Sequence, residues 1–160
     1  MIFVTLGSQK FQFDRLLKKL DELVECEILK EDIYAQIGAS TYEPLHFNFV
    51  RLMDRERFSE VMDSCTTVIT HGGTGVIISA VKKGKKVIAV PRLEKFGEHV
   101  DDHQLQLLHQ FDDLGIICAC YDTEQLGQCY QSLEHMTFRP YVSNTHVIIQ
   151  SIEDYLSTLE

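Results

Sequence analysis

The stretch Thr70-His71-Gly72-Gly73-Thr74-Gly75 decides the fold, because it turns a strand into a helix through a glycine-rich corner. Upstream, Thr66 to Thr70 is a β-branched run of strand length. Downstream, Thr74 to Lys83 reads as a helix closed by Gly84. Glycines at 72, 73 and 75 let the backbone approach a ligand and aim N–H groups at it. The start of the following helix adds roughly half a positive charge. That combination suits a phosphate or diphosphate, with the Thr74 hydroxyl and a His71 ring N–H as further donors. The same glycines could serve only a tight strand–helix turn, but such a turn has no need of the histidine. Two familiar phosphate motifs are excluded. The third glycine of GxGxxG would fall on Ile78, and no GxxxxGK[ST] occurs.

Outward from this corner, strand-length apolar runs alternate with helical periods. Ile2 to Leu6 is a strand ending at Gly7-Ser8, followed by Phe13, Leu16, Leu17, Leu20, Leu23 and Val24 at helical spacing. Ile33 to Ile37 and Phe47 to Leu52 read as strands, and Arg55 to Ser64 as a helix with Asp54 as N-cap. Lys86 to Val90 is a strand stopped by Pro91. Val100 to Leu114 reads as a helix, Ile116 to Cys120 as a strand and Thr123 to Leu133 as a helix. Val142, His146, Ile149, Ile152, Leu156 and Leu159 mark a long amphipathic C-terminal helix. This alternation predicts an α/β fold: a Rossmann-like open parallel sheet with helices on both faces. Ligands in such sheets bind at the carboxyl ends of the strands, so the loops after Leu6, Ile37, Leu52, Thr70 and Val90 are the ones to examine.

The 160 residues are expected to form a single domain over 1–160. Fifteen Lys+Arg against 24 Asp+Glu give a net charge of −9, which argues against nucleic acid as a partner. No run approaches the ~20 apolar residues of a membrane helix. The N-terminus has no basic region, so a cytoplasmic location is expected. Five cysteines without a CxxC pair read as reduced thiols, with Cys118 and Cys120 facing one core layer. His99 and His103 sit four apart, the spacing of a metal pair on a helix. No third ligand is evident, so no metal is expected. Lys82-Lys83-Gly84-Lys85-Lys86 reads as a solvated cluster complementing a helix C-terminus rather than a lipid-binding patch.

Thr70 to Ala80, then Gly84-Lys85-Lys86-Val87-Ile88-Ala89-Val90-Pro91, then His103-Gln104 form a specific combination. It resembles the C-terminal, donor-binding domain of glycosyltransferase family 28, one half of a GT-B fold. Leu6-Gly7-Ser8-Gln9 matches that family's first glycine loop and Ala35-Gln36-Ile37-Gly38 its second strand. The resemblance covers nearly the whole chain and is strongest to stand-alone catalytic subunits of two-subunit transferases, including those of bacterial capsule and exopolysaccharide clusters. It implies that His71, Gly72, Gly73, Thr74 and Gly75 hold the donor diphosphate, and that His103 and Gln104 contact the transferred sugar. Met53 would lie by the uracil, and Gly7 and Ser8 on the cleft floor. Where the family usually carries an acidic residue for the ribose, this chain has Ser79, which can hydrogen-bond only without charge assistance.

The implied activity is inverting, metal-independent transfer from a UDP-sugar (galactose, glucose or glucuronate, or GlcNAc) to a lipid-diphosphate-linked acceptor. No cofactor is implied. The helix N-terminus, His71, and Arg92 or Lys95 are expected to neutralise the diphosphate. Since 160 residues have room for one half only, a membrane-associated partner is expected to hold the acceptor and supply the base, leaving the chain peripheral to the membrane. His99 is the candidate base within this chain. The C-terminal helix, Phe11 and Phe13 are candidate partner contacts. The alternative is a non-catalytic nucleotide-sugar-binding or regulatory subunit, with Ser79 a sign of decayed donor binding. A UDP-sugar hydrolase or epimerase on the same fold is a third reading.

Overall fold

The computed structural model describes residues 1–158. Its strands are β1 (Ile2–Thr5), β2 (Ile33–Gln36), β3 (Asn48–Val50), β4 (Thr67–His71), β5 (Lys86–Val90) and β6 (Cys118–Ala119). Its helices are α1 (Asp14–Glu25), α2 (Arg55–Ser64), α3 (Thr74–Lys82), α4 (His103–Asp113), α5 (Leu126–Ser132) and α6 (Thr145–Ser157). All strand pairs are parallel, in the order β3-β2-β1-β4-β5-β6. The chain starts in mid-sheet, builds outward to β3, then returns to the other side of β1 for β4. The strand order therefore reverses between β1 and β4, and a crevice opens at their carboxyl ends. The loops that flank it begin at Leu6 and at His71.

Strand alternation divides the core into two layers. Ile2, Val4, Ile69 and Ile88 face one side with Leu16, Leu17 and Leu20 of α1. Phe3, Val68, Val87 and Ala89 face the other with Met62, Ile77 and Leu108. Each fully buried Leu or Ile contributes ~1.5–3 kcal/mol. Cys118 and Cys120 lie in the first layer, and all five cysteines are free thiols.

Several elements differ from the sequence expectation. The strand over 47–52 shortens to Asn48–Val50 at the sheet edge, and the strand over 116–120 to Cys118–Ala119 at the other. The segment over 123–133 starts with a 3-10 turn at Thr123–Gln125 before α5 begins. The helix expected from Val100 starts only at His103. The carboxylates that precede it are spent on loop amides: Asp101 accepts the His103 N–H at 3.0 Å and Asp102 accepts the Glu94 N–H at 2.8 Å. The lysine cluster is not simply solvated. Lys83 pairs with Asp63, Lys85 bonds the Asp63 and Cys65 carbonyls at 2.8 and 2.7 Å, and Lys86 bonds the Leu133 carbonyl at 2.9 Å. The C-terminal helix forms, but no residue of α6 is buried, and Leu159 of its apolar pattern lies outside the described residues.

Candidate functional site at the β1–β4 crevice

The site starts from the two loops at the strand-order reversal. Thr70 Oγ1 donates to the Thr5 carbonyl at 2.7 Å and locks the ends of β1 and β4 together. Gly7 follows β1 with φ +76°, a conformation that side chains resist. A Cβ at Gly7 would also stand 2.9 Å from His71 Nε2. Across the crevice, a Cβ at Gly73 would stand 2.5 Å from His71 Cε1. The imidazole thus fits only because both flanking residues lack side chains.

Gln104 fixes the ring. Its Oε1 accepts the backbone N–H groups of Gly72 at 2.9 Å and Arg92 at 3.1 Å, so the amide can be oriented only one way. Its Nε2 then donates to His71 Nδ1 at 3.1 Å. Nδ1 being an acceptor, the hydrogen of the neutral ring sits on Nε2, which faces Gly7. Burial, and then the neighbouring Arg92 guanidinium, push His71 down to about 4. At neutral pH His71 is therefore a neutral N–H donor. Beside it, α3 begins at Thr74 with no side-chain cap and no acidic residue in its first turn. The amides of Thr74, Gly75 and Val76 have no acceptor within the helix. Ser8, Thr74 and Gly75 are exposed, so the site is an open shelf of N–H donors.

His99 carries the opposite tautomer. Its Nδ1 lies 3.1 Å from Asp101 Oδ1, and a carboxylate can only accept. In the neutral ring Nε2 is then a free lone pair. Phe11 packs against the ring with centroids 5.1 Å apart. The His103 N–H and the His99 ring hold the Asp101 carboxyl below its ordinary value. His99 lies outside α4 and His103 is its exposed first residue, so the two do not share a helix face. Among the described residues no cluster of three His, Cys, Asp or Glu could hold a metal ion.

The remaining expected residues divide. Gln104 lines the site, though three of its contacts go to the protein rather than to open space. Ser79 is half-buried in α3. The Met53 N–H, expected to face the base, is bonded to Gln36 Oε1 at 3.2 Å. Arg92 does not reach the shelf: it is 2% exposed and turned inward. Lys95 is exposed and lies 4.9 Å over the Phe96 ring. Phe13 is fully buried, so it is core and not a contact surface. Sequence reasoning missed Gln36, Asp101 and the inward role of Arg92. Pro91-Arg92 directly after a strand at the crevice was the available signal for the last. A cavity of about 800 Å³ lies along β3 and the amino ends of the strands, lined by Tyr34, Asn48 and Arg57 among others. It includes no residue of the glycine corner.

A profile of the glycosyltransferase family 28 C-terminal domain matches residues 1–158. The chain belongs to this family. A 100-residue segment is 31% identical to "UDP-N-acetylglucosamine transferase subunit ALG13" of Candida glabrata, covering 62% of this chain and 44% of that protein. The crystal structure of Acinetobacter baumannii MurG superposes with a TM-score of 0.56 at 19% identity, over 83% of this chain and 40% of that one. The chain thus spans less than half the length of either relative. The six-stranded parallel sheet is one half of a GT-B architecture, with its strand-order reversal between β1 and β4.

Proposed function

We propose that this family 28 lobe binds a UDP-sugar and works as a glycosyltransferase subunit. One observation carries the reading: the uncapped start of α3 and the neutral His71 N–H converge on one exposed shelf beside Gly7. Leaving diphosphate gains negative charge during transfer, and preoriented N–H dipoles stabilise that charge without a metal. The amides of Thr74, Gly75 and Val76 and His71 Nε2–H serve this role. Met53 lies by the base, Ser79 by the ribose, and Gln104 and His103 by the sugar.

The acceptor half of the reaction is assigned to a membrane-associated partner that presents a lipid-diphosphate-linked sugar and supplies the base. Two things support a partner. The Candida relative is by name a subunit, and α6 exposes an apolar stripe of Ile148, Ile149, Ile152 and Leu156. Within this chain His99, with its Nε2 lone pair and Asp101 behind it, is the group suited to accept a proton. The pathway proposed is surface polysaccharide assembly with galactose, glucose, glucuronate or GlcNAc as the sugar.

The test is transfer from UDP-sugars to a lipid-linked acceptor by the chain coexpressed with its partner. His71→Ala should lower turnover by about 10²-fold, in the range seen when one oxyanion-type donor is removed. Full activity in that variant would refute the assignment. UDP binding with no transfer under any partner would favour the regulatory-subunit reading.

A further inference from the structure

Behind the glycine corner lies a charged cluster that the donor contacts do not use. Arg92 is 2% exposed, and its guanidinium donates to four backbone carbonyls: Leu6 at 2.6 Å, Gln12 at 2.9 Å, Phe11 at 3.1 Å and Glu98 at 3.3 Å. Among the described residues no carboxylate is bonded to it. The nearest, Glu98, is fully buried and committed to Arg15 through two hydrogen bonds of 2.9 and 3.0 Å, and it also accepts the Leu93 N–H at 3.0 Å. Both guanidiniums lie against Phe13, at 5.1 Å for Arg92 and 5.5 Å for Arg15. Two guanidiniums and one carboxylate are thus grouped with one positive charge in excess, Arg92 and Glu98 buried and Arg15 part-exposed. A lone buried cation is costly unless something gains from it.

We propose that Arg92 is a positioning residue whose buried, only partly compensated charge strengthens diphosphate binding at the glycine corner without touching the ligand. The proposal rests on the UDP-sugar reading above and adds a residue to it. Two effects operate. The inward carbonyls of Leu6, Phe11 and Gln12 set the path of the loop that carries Gly7 and Ser8. Across the trans peptide, the Gly7 N–H points away from Arg92 because the Leu6 carbonyl points toward it. The second effect is electrostatic, since a cation enclosed by protein is little screened.

Arg92 stays charged at neutral pH although burial pulls it down to about 10, with Glu98 opposing. Its field is felt at His71, where the guanidinium is the second cause of depression after burial and His99 a lesser one. Gln104, which also faces His71, opposes the shift through its hydrogen bond.

The test compares UDP, inorganic pyrophosphate and uridine by calorimetry on the full chain, with His71 followed through its pH titration by NMR in the ligand-free protein. Glu98→Gln removes the one compensating charge and should tighten UDP roughly three- to tenfold, leave uridine unchanged and move the His71 titration down. Arg92→Gln should weaken UDP and pyrophosphate about tenfold more than uridine and move His71 up. Arg92→Lys, which keeps the charge, should retain most of the preference for UDP over uridine. Equal changes for UDP and uridine in both charge variants would overturn the proposal, as would a His71 titration that stays fixed. Should Arg92→Gln not fold, Glu98→Gln alone decides. Wild-type chain that bound neither UDP nor pyrophosphate would end the functional reading, and the His71 titrations would still settle whether the cluster's field reaches the corner.

Discussion

α1 and α6 carry the same kind of sequence signal and meet different fates. Both repeat apolar residues at helical spacing and both form helices. α1 buries Leu16, Leu17, Leu20 and Leu23 against the sheet, whereas α6 buries nothing and leaves Val147, Ile148, Ile149, Ile152, Tyr155 and Leu156 exposed. Periodicity states that a helix has a face to cover and is silent on what covers it. The contrast also separates stability from assembly. The α1 face holds this lobe together, and among the described residues the α6 face covers none of its core.

The comparison can be broken first at its largest effect. Leu20→Ala should destabilise the chain by ~2–5 kcal/mol in equilibrium urea unfolding, through lost transfer energy and a cavity. Ile152→Ala on α6 should change it by less than ~0.5 kcal/mol. Similar losses for the two would mean that α6 packs on this lobe in solution.

The packed crevice should also give the chain an acid-sensitive stability. His71 is depressed in the folded state, to about 4 from an ordinary 6.5. The unfolded chain then binds the proton more tightly between those values. Stability from this group is complete above pH 6.5 and is lost as the pH falls through 4, by up to about 3 kcal/mol. Urea unfolding across pH 7 to 4 should show a flatter profile in His71→Gln than in the wild type, after the shared losses from Asp14, Asp21 and Glu31, whose carboxyls are also depressed.

Two glycines of the corner sharpen the picture at smaller amplitude. Gly73→Ala drives a methyl into the His71 ring and should cost ~1–3 kcal/mol while weakening UDP binding. Gly75→Ala meets nothing within 4 Å inside a helix and should be neutral or stabilising by up to ~1 kcal/mol. Calorimetric UDP titration of both variants, beside their unfolding midpoints, distinguishes ring collision from a general intolerance of side chains in the corner.

The sheet and the glycine corner were legible from the sequence because they depend on neighbours in the chain. Strand alternation, the Asp54 cap and the turn into α3 are all local, and Asp54 does accept the Arg57 N–H at 2.8 Å. What escaped is long-range and side-chain-specific. Arg92 looked like a diphosphate ligand by position, yet its partners at Leu6, Phe11 and Gln12 lie some 80 residues away in the chain. Gln36 is a strand-end residue whose hold on Met53 depends on how β2 and the loop after β3 close together. The delayed start of α4 follows from the competing side chains of Asp101 and Asp102, which no periodicity records.

The central claim, that the β1–β4 crevice holds a diphosphate, is tested most directly by titrating UDP into the isotopically labelled chain and following its backbone amides by NMR. The account predicts the largest shifts at Gly7, Ser8, Thr74, Gly75 and Val76, with the His71 ring moving among them. Shifts confined to the cavity at Tyr34, Asn48 and Arg57, with the glycine corner unmoved, would contradict it.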